Sequence, residues 1–366
     1  MQIPIIDLKR QHAIMKDELE EAFRRVLESG IFIYGQELES FEKEVAEYLG
    51  VKHAIGVGNG TDALILSLSA IGIKPGDEVI TTPFTFFATA ESIAQKGAVP
   101  VFVDIDDKTM NIDVEKIEEK ITPKTKAILP VHIFGQGVKM EKILQIAQKY
   151  NLKVIEDTAQ GIGAKRNGKS LGTFGDLGTF SFFPTKNLSC LGDGGLIVTN
   201  DDELAKKVRM LRVHGSPRKY YHQFLGYNSR LDALQAAFLR VKMKYIESWN
   251  KRRQEIASIY NEALKYIVRV PEVDEGNIHI YHQYTIRTEK RDQLVDFLRN
   301  KGIQVAIHYP IPLHLQPALS YLGYEEGDLP VAEKATKEVL SLPVFPELTE
   351  EEVNYIIDSI REFFKK

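Results

Sequence analysis

One cysteine, Cys190, in 366 residues cannot close an internal disulfide, so the fold has to hold without covalent staples. No stretch approaches the roughly 18 uninterrupted apolar residues of a membrane span. The opening MQIPIIDLKRQ has too short an apolar run for a secretory leader, and Asp7, Lys9 and Arg10 close it on the wrong side. A cytoplasmic location is therefore expected, and Asn187-Leu188-Ser189 matches the glycosylation sequon only formally. An excess of one charge is also missing. The 47 basic and 51 acidic residues leave a formal charge of −4, which excludes the strongly basic face of a nucleic-acid binder. The nine histidines show no H-E-x-x-H or comparable spacing, so no catalytic metal is expected. There is no internal repeat and no low-complexity tract.

What is present is a rhythm. From about residue 51 to 200, the runs HAIGV, DEVIT, PVFVDI, KAILPVHI and KVIED alternate with amphipathic stretches such as Met140 to Tyr150. That alternation predicts an α/β fold with a mostly parallel sheet covered by helices. Gly60, Gly76, Gly97, Gly135 and Gly161 fall at the junctions, where helices stop or turns tighten. Beyond about Val208 the pattern changes to long helices from Leu231 through Tyr266. It then becomes a smaller α+β pattern: strand HIYHQYTIR, helix Arg291 to Lys301, strand IQVAI and a closing helix. Thr349 with Glu352 three residues on is a capping box for that last helix. The expected division is a large domain over residues 1–245 and a small C-terminal domain over 246–366.

The residues that carry chemistry are ordered along the chain. Asp157 and Gln160 lie in VIEDTAQGIGA, Ser181 and Lys186 in FSFFPTKNL, and a glycine pair in LGDGGLIVT. Asp157 ends an apolar parallel strand, at the sheet edge where open α/β folds bind ligands. A carboxylate there can pair with the pyridinium nitrogen of pyridoxal phosphate and keep it protonated. Lys186, partly desolvated after the turn containing Pro184, has the lowered pKa of an amine that is both nucleophile and base. Gly60 and Thr61 open a helix whose N–H groups, with the threonine hydroxyl and Ser181, can cradle the phosphate. Phe86 of FTFFAT can stack on the cofactor ring. Taken singly, each residue has an ordinary reading: Asp157 as a turn or cap, Lys186 as a surface lysine, Phe86 as core. Their joint order points to a cofactor site.

The segments NGTDAL, PFTFFATAES, VFVDID, IEDTAQGIGA, FSFFPTKNL and GDGG make the chain similar to the DegT-type sugar aminotransferases, of the aspartate-aminotransferase fold (fold type I), over nearly its whole length. The resemblance implies that Lys186 binds the cofactor, that Asp157 contacts the ring nitrogen and that Gln160 lies near the ring hydroxyl. It implies that Thr61, the Asp62 backbone and Ser181 hold the phosphate, with Asn228 of GYNSRLD arriving from the partner subunit of a homodimer. By the same resemblance Arg230, His308 and Tyr309 face a nucleotide-linked keto sugar, and glutamate is the amino donor. The matches through FPTKNL, RKYYHQ, GYNSRLD and HYPIPLHLQP suggest a 3-keto sugar, first a UDP-linked 2-acetamido-3-keto-uronic acid and second a dTDP-linked 3-keto-6-deoxyhexose.

Two motif matches are set aside. Gly163 to Ser170, GAKRNGKS, fits G-x-x-x-x-G-K-[ST], but it neither leaves a strand directly nor opens a helix. GVGNG lacks the second half of the dinucleotide fingerprint. Two other functions use the same fold. A non-catalytic regulator has no need of an unblocked Lys186, and the related sugar dehydratases carry histidine at that position.

Overall fold

The computed structural model describes residues 1–365. The five β-branched runs become the first five strands: β1 (His53–Val57), β2 (Glu78–Thr81), β3 (Val99–Phe102), β4 (Thr125–Ile128) and β5 (Lys153–Asp157). A short hairpin follows, β6 (Lys165–Arg166) and β7 (Lys169–Ser170), then β8 (Leu177–Ser181) and β9 (Gly195–Thr199). Seven of these form one sheet in the order β1-β9-β8-β5-β4-β2-β3. Only β9 runs against the rest, pairing antiparallel with β1 and β8. The other six therefore end on one edge of the sheet, which brings Val57, Asp157 and Ser181 to the same side of the molecule.

That edge is close-packed. Gly195 is paired with both Val57 and Ser181. A Cβ on Gly195 would meet the Asn59 carbonyl oxygen at 2.2 Å, and one on Gly60 would meet the Ser181 Cβ at 2.7 Å. Only glycine lets the start of helix Gly60–Ala70 sit this near the strand ends.

Helix Met140–Tyr150 spans the residues its periodicity marks, and it buries Met140, Ile143, Ile146 and Ala147. The predicted capping box forms: the Glu352 N–H donates to Thr349 Oγ1 at 3.1 Å and the Thr349 N–H donates to Glu352 Oε2 at 2.9 Å. The phosphate-loop lookalike is the β6–β7 hairpin, turning on Asn167 and Gly168 at positive φ, the two-residue turn favoured between antiparallel strands. Its Arg166 is paired with Glu141 and Asp274.

The long helices expected after Leu231 are Ala233–Met243 and Ile246–Leu264. They part where Lys244 and Tyr245 both bond to Glu18 of helix Lys16–Ser29. Two other expectations change. Of HIYHQYTIR only Tyr284–Arg287 is strand; the N–H groups of Ile280 and His282 are donated to Gly135 and Phe134 instead. IQVAI is no strand either, and it makes single bridges from Ile303 to Ile3 and from Ala306 to Ser341.

β10 (Asn277–Ile278) joins the hairpin, and β11 (Tyr284–Arg287) pairs with β12 (Val339–Leu342). A separate core of Tyr260, Tyr284, Leu294, Leu298, Leu340 and Ile356 forms around this last pair, and Ile3 packs into it. Arg10, near the N-terminus, forks onto Glu352 with two bonds of 2.8 Å. Among the described residues no helix is long and apolar enough to cross a membrane, and no group of three His, Cys, Asp or Glu residues could hold a metal ion.

Candidate active site

Asp157 closes β5 with a buried side chain. Its Oδ2 accepts from Thr89 Oγ1 at 2.8 Å and its Oδ1 from the Ala159 N–H at 3.1 Å. Burial pushes the carboxyl above its ordinary pKa, against the pull of those two donors and of the charge on Lys186. Two donors are few for a carboxylate with about four acceptor sites. The group is short of positive charge.

Lys186 sits in a turn closed by its own N–H on the Phe183 carbonyl at 2.8 Å. Burial lowers its amine to about 8, and Asp157 pulls the other way. At neutral pH a useful fraction of that amine is therefore unprotonated and nucleophilic.

The cradle forms at the start of helix Gly60–Ala70. As the first N–H groups of a helix, those of Gly60 and Thr61 have no carbonyl one turn back to bond, and they attract an anion. Asn59 caps the helix by accepting the Asp62 N–H at 2.8 Å. The Asp62 backbone donor, expected to hold phosphate, is thus already engaged, and Asn59 is a residue the sequence reading missed. Ser229 ties the next segment down: its Oγ donates to Asp62 Oδ2 at 2.6 Å and accepts the Gly58 N–H at 2.9 Å. Ser181 is packed against Gly60, and its Oγ accepts the Phe183 N–H at 3.3 Å.

Gln160 accepts the Phe134 N–H at 2.6 Å and donates to the Tyr309 hydroxyl at 3.1 Å. Burial raises the Tyr309 hydroxyl above its ordinary pKa, so it stays a neutral donor and acceptor. His308 Nδ1 lies 2.9 Å from Ser341 Oγ, and burial with the nearby Lys186 charge lowers its pKa to about 4. His308 is therefore neutral at physiological pH and cannot be the positive partner of a phosphate. Phe86 is exposed, with its ring centroid 6.5 Å from that of Tyr309. Asn228 is exposed. Arg230 is half-buried and, among the described residues, pairs with no carboxylate.

Behind the edge lies a support that reading the sequence did not single out. Glu156, fully buried beside Asp157, accepts the N–H groups of Gly172 (2.9 Å), Phe174 (2.6 Å) and Gly175 (2.7 Å), and His132 Nε2 lies at 2.9 Å. The Val138 N–H donates to the other nitrogen of His132 at 3.1 Å, so the proton on that ring belongs to Nε2 and points at Glu156. Glu156→Ala leaves four donors, two of them fully buried, without their acceptor and should cost about 3–5 kcal/mol, read from urea unfolding. A loss below ~1 kcal/mol would mean that water replaces the carboxylate.

Comparison with known proteins was made against this geometry. The model of the DegT/DnrJ/EryC1/StrS aminotransferase family matches residues 13–361. A pleiotropic regulatory protein of Geobacillus stearothermophilus is 53% identical over 369 residues, covering 100% of this chain and 99% of its own. The UDP-N-acetyl-3-dehydro-alpha-D-glucosamine 3-aminotransferase of Acidithiobacillus ferrooxidans is 47% identical, over 98% of this chain and 97% of its own. The crystal structure of Streptomyces venezuelae DesV with a ketimine intermediate superposes with a TM-score of 0.98 at 41% identity, covering 100% of this chain and 99% of that one.

Proposed function

The chain belongs to the DegT/DnrJ/EryC1/StrS aminotransferase family, whose chemistry runs on pyridoxal phosphate, and from that premise we propose that it aminates the 3-keto carbon of a UDP-linked 2-acetamido-3-keto-uronic acid with L-glutamate as donor. The observation that carries the choice of an acidic sugar is Arg230, half-buried near the cradle and, among the described residues, paired with no carboxylate. The Acidithiobacillus relative is named for a UDP-linked N-acetylated 3-keto sugar, and the proposed substrate differs from it by a carboxylate at C5.

The residues present fit the cofactor, because Asp157 is a buried carboxylate in want of a cation. When bound, pyridoxal phosphate supplies an electron sink for the carbanion left as a proton departs. Asp157 would hold the positive charge at the ring nitrogen. Thr61, Ser181 and the helix N-terminus would bind the phosphate. Lys186 would carry the cofactor and, once free, move a proton through its Nζ from the donor's Cα. Tyr309, held by Gln160, and neutral His308 would offer hydrogen bonds to the sugar. We assign the function to a homodimer with shared sites, in which exposed Asn228 reaches the neighbouring chain's phosphate; exposed Tyr220, Tyr221 and Leu225 nearby supply apolar surface for such a contact.

The test is product mass from a panel of UDP- and dTDP-linked 3-keto sugars, with and without the C5 carboxylate, given glutamate. Arg230→Ala should raise the KM for the uronic acid about 10- to 100-fold and leave that for glutamate nearly unchanged. Equal effects on both substrates would make Arg230 structural. The name of the Geobacillus relative favours a second reading, a regulator. A protein that binds the whole panel and turns over none of it would support that reading.

A further inference from the structure

Three buried side chains form a relay from a backbone carbonyl to the turn that carries Lys186. The Asn250 Nδ2 donates to the Ile162 carbonyl at 3.1 Å. Asn187 Nδ2 donates to Asn250 Oδ1 at 2.8 Å, and His282 Nδ1 lies 3.1 Å from Asn187 Oδ1. A carbonyl can only accept, so each amide in the chain has one permitted orientation. Asn250 must turn its NH₂ to Ile162 and its oxygen to Asn187. Asn187 must then turn its oxygen to His282. The polarity set at Ile162 therefore requires a proton on His282 Nδ1.

The surroundings are built for this relay. Gly163 has φ +88°, and a Cβ there would stand 2.3 Å from Asn250 Nδ2, so a side chain at 163 would displace the first amide. The His282 N–H donates to the Phe134 carbonyl at 2.8 Å, which fixes the backbone that presents the ring. Burial holds His282 well below its ordinary pKa, and the positive charges of Lys186 and Arg253 push it the same way. The ring is therefore neutral, with its one proton already assigned. Its other nitrogen carries a lone pair.

We infer that His282 is a positioning residue for Lys186: locked as the neutral Nδ1–H tautomer, it pins the Asn187 end of the lysine turn and keeps a lone pair at Nε2, in the field of the lysine's charge. The inference rests on reading Lys186 as the cofactor lysine. A neighbouring lone pair favours the protonated amine, as does Asp157, whereas burial disfavours it. His282 thereby moderates how far burial strips the proton from Lys186. The relay keeps His282 from turning its own proton on the lysine.

Two measurements test this on the full chain. Nitrogen-15 spectra of the holoenzyme's histidines, with His282 assigned by substitution, should show Nδ1 protonated and Nε2 bare from about pH 6 to about pH 8. An Nε2–H tautomer or an imidazolium in that range overturns the proposal. In the cofactor-free protein, the pH midpoint for acetylation of Lys186, followed by peptide mass spectrometry, should lie near about 8. It should fall by about half a pH unit or more in His282→Phe and His282→Asn. The asparagine keeps a donor for Asn187, so His282→Asn should melt with the native protein even if the phenylalanine variant does not fold. An unmoved midpoint in folded His282→Asn overturns the role. Borohydride labelling separates the two readings. Cofactor fixed to a different lysine sinks the functional reading, whereas a label on Lys186 with an unmoved midpoint sinks only the inference.

Discussion

Lys186→Ala should abolish turnover, with a loss on the order of 10⁴-fold or more, because a single amine is asked both to hold the cofactor and to carry the proton. The structure explains why that amine suits both tasks. Held near about 8 by burial, with Asp157 restraining the shift, it exchanges a proton close to physiological pH. The alanine variant should fold normally, since the turn is closed by the backbone N–H of residue 186 and by the Asn187 side chain, not by the lysine amine. Borohydride treatment of the native protein should leave the cofactor covalently attached to the peptide containing Lys186. The same treatment of the variant should leave none. Retained turnover, or a label on another lysine, would remove Lys186 from the centre of the mechanism.

Asp157→Asn should slow the proton-abstraction half-reaction on the order of 10²- to 10³-fold while weakening cofactor binding far less. The amide is nearly isosteric and can be accommodated. Its oxygen can accept the Ala159 N–H, and its NH₂ can face Thr89, whose hydroxyl is free to rotate and accept. What is lost is the negative charge. A carboxyl whose folded pKa lies above its unfolded value loses stability for the protein as pH rises through that interval. At neutral pH Asp157 therefore costs stability in the cofactor-free protein. Cofactor-free Asp157→Asn should melt no lower than the native chain, while its single-turnover rate with glutamate collapses. Near-native rates would show that the ring nitrogen is charged by some other group.

The strands of the sheet were legible because β-branched runs such as KVIED and HAIGV occupy positions buried on both faces, where little but an apolar strand can sit. Met140–Tyr150 was legible for the complementary reason, a period of 3.6 with one apolar face. IQVAI and HIYHQY read as strands for the same apolar content. Their backbone groups found partners outside a ladder, at Ile3 and Ser341 and at Phe134 and Gly135. The strand-end Asp157 and the helix start at Gly60 could be read locally. Asn59 was also legible, as an N-cap three residues before Asp62, whereas Thr89, Glu156 and His282 were not, because each acts on a residue that the fold, not the adjacent sequence, brings to it. Glu156 shows this best. It stands next to Asp157 in the chain, yet it serves the loop from Gly172 to Gly175 behind the sheet.

The bridge from Ile3 to Ile303 and the fork of Arg10 on Glu352 join the first residues of the chain to its last helix. The core around β11 and β12 is therefore assembled from stretches far apart along the chain, like a clasp whose two halves are made at different times. A ribosome releases Ile3 and Arg10 long before Glu352 exists. Until then Ile3 has no core to enter and Arg10 no carboxylate to grip. A fragment that kept the closing helix without Ile3 and Arg10 would lack one of that core's own edges.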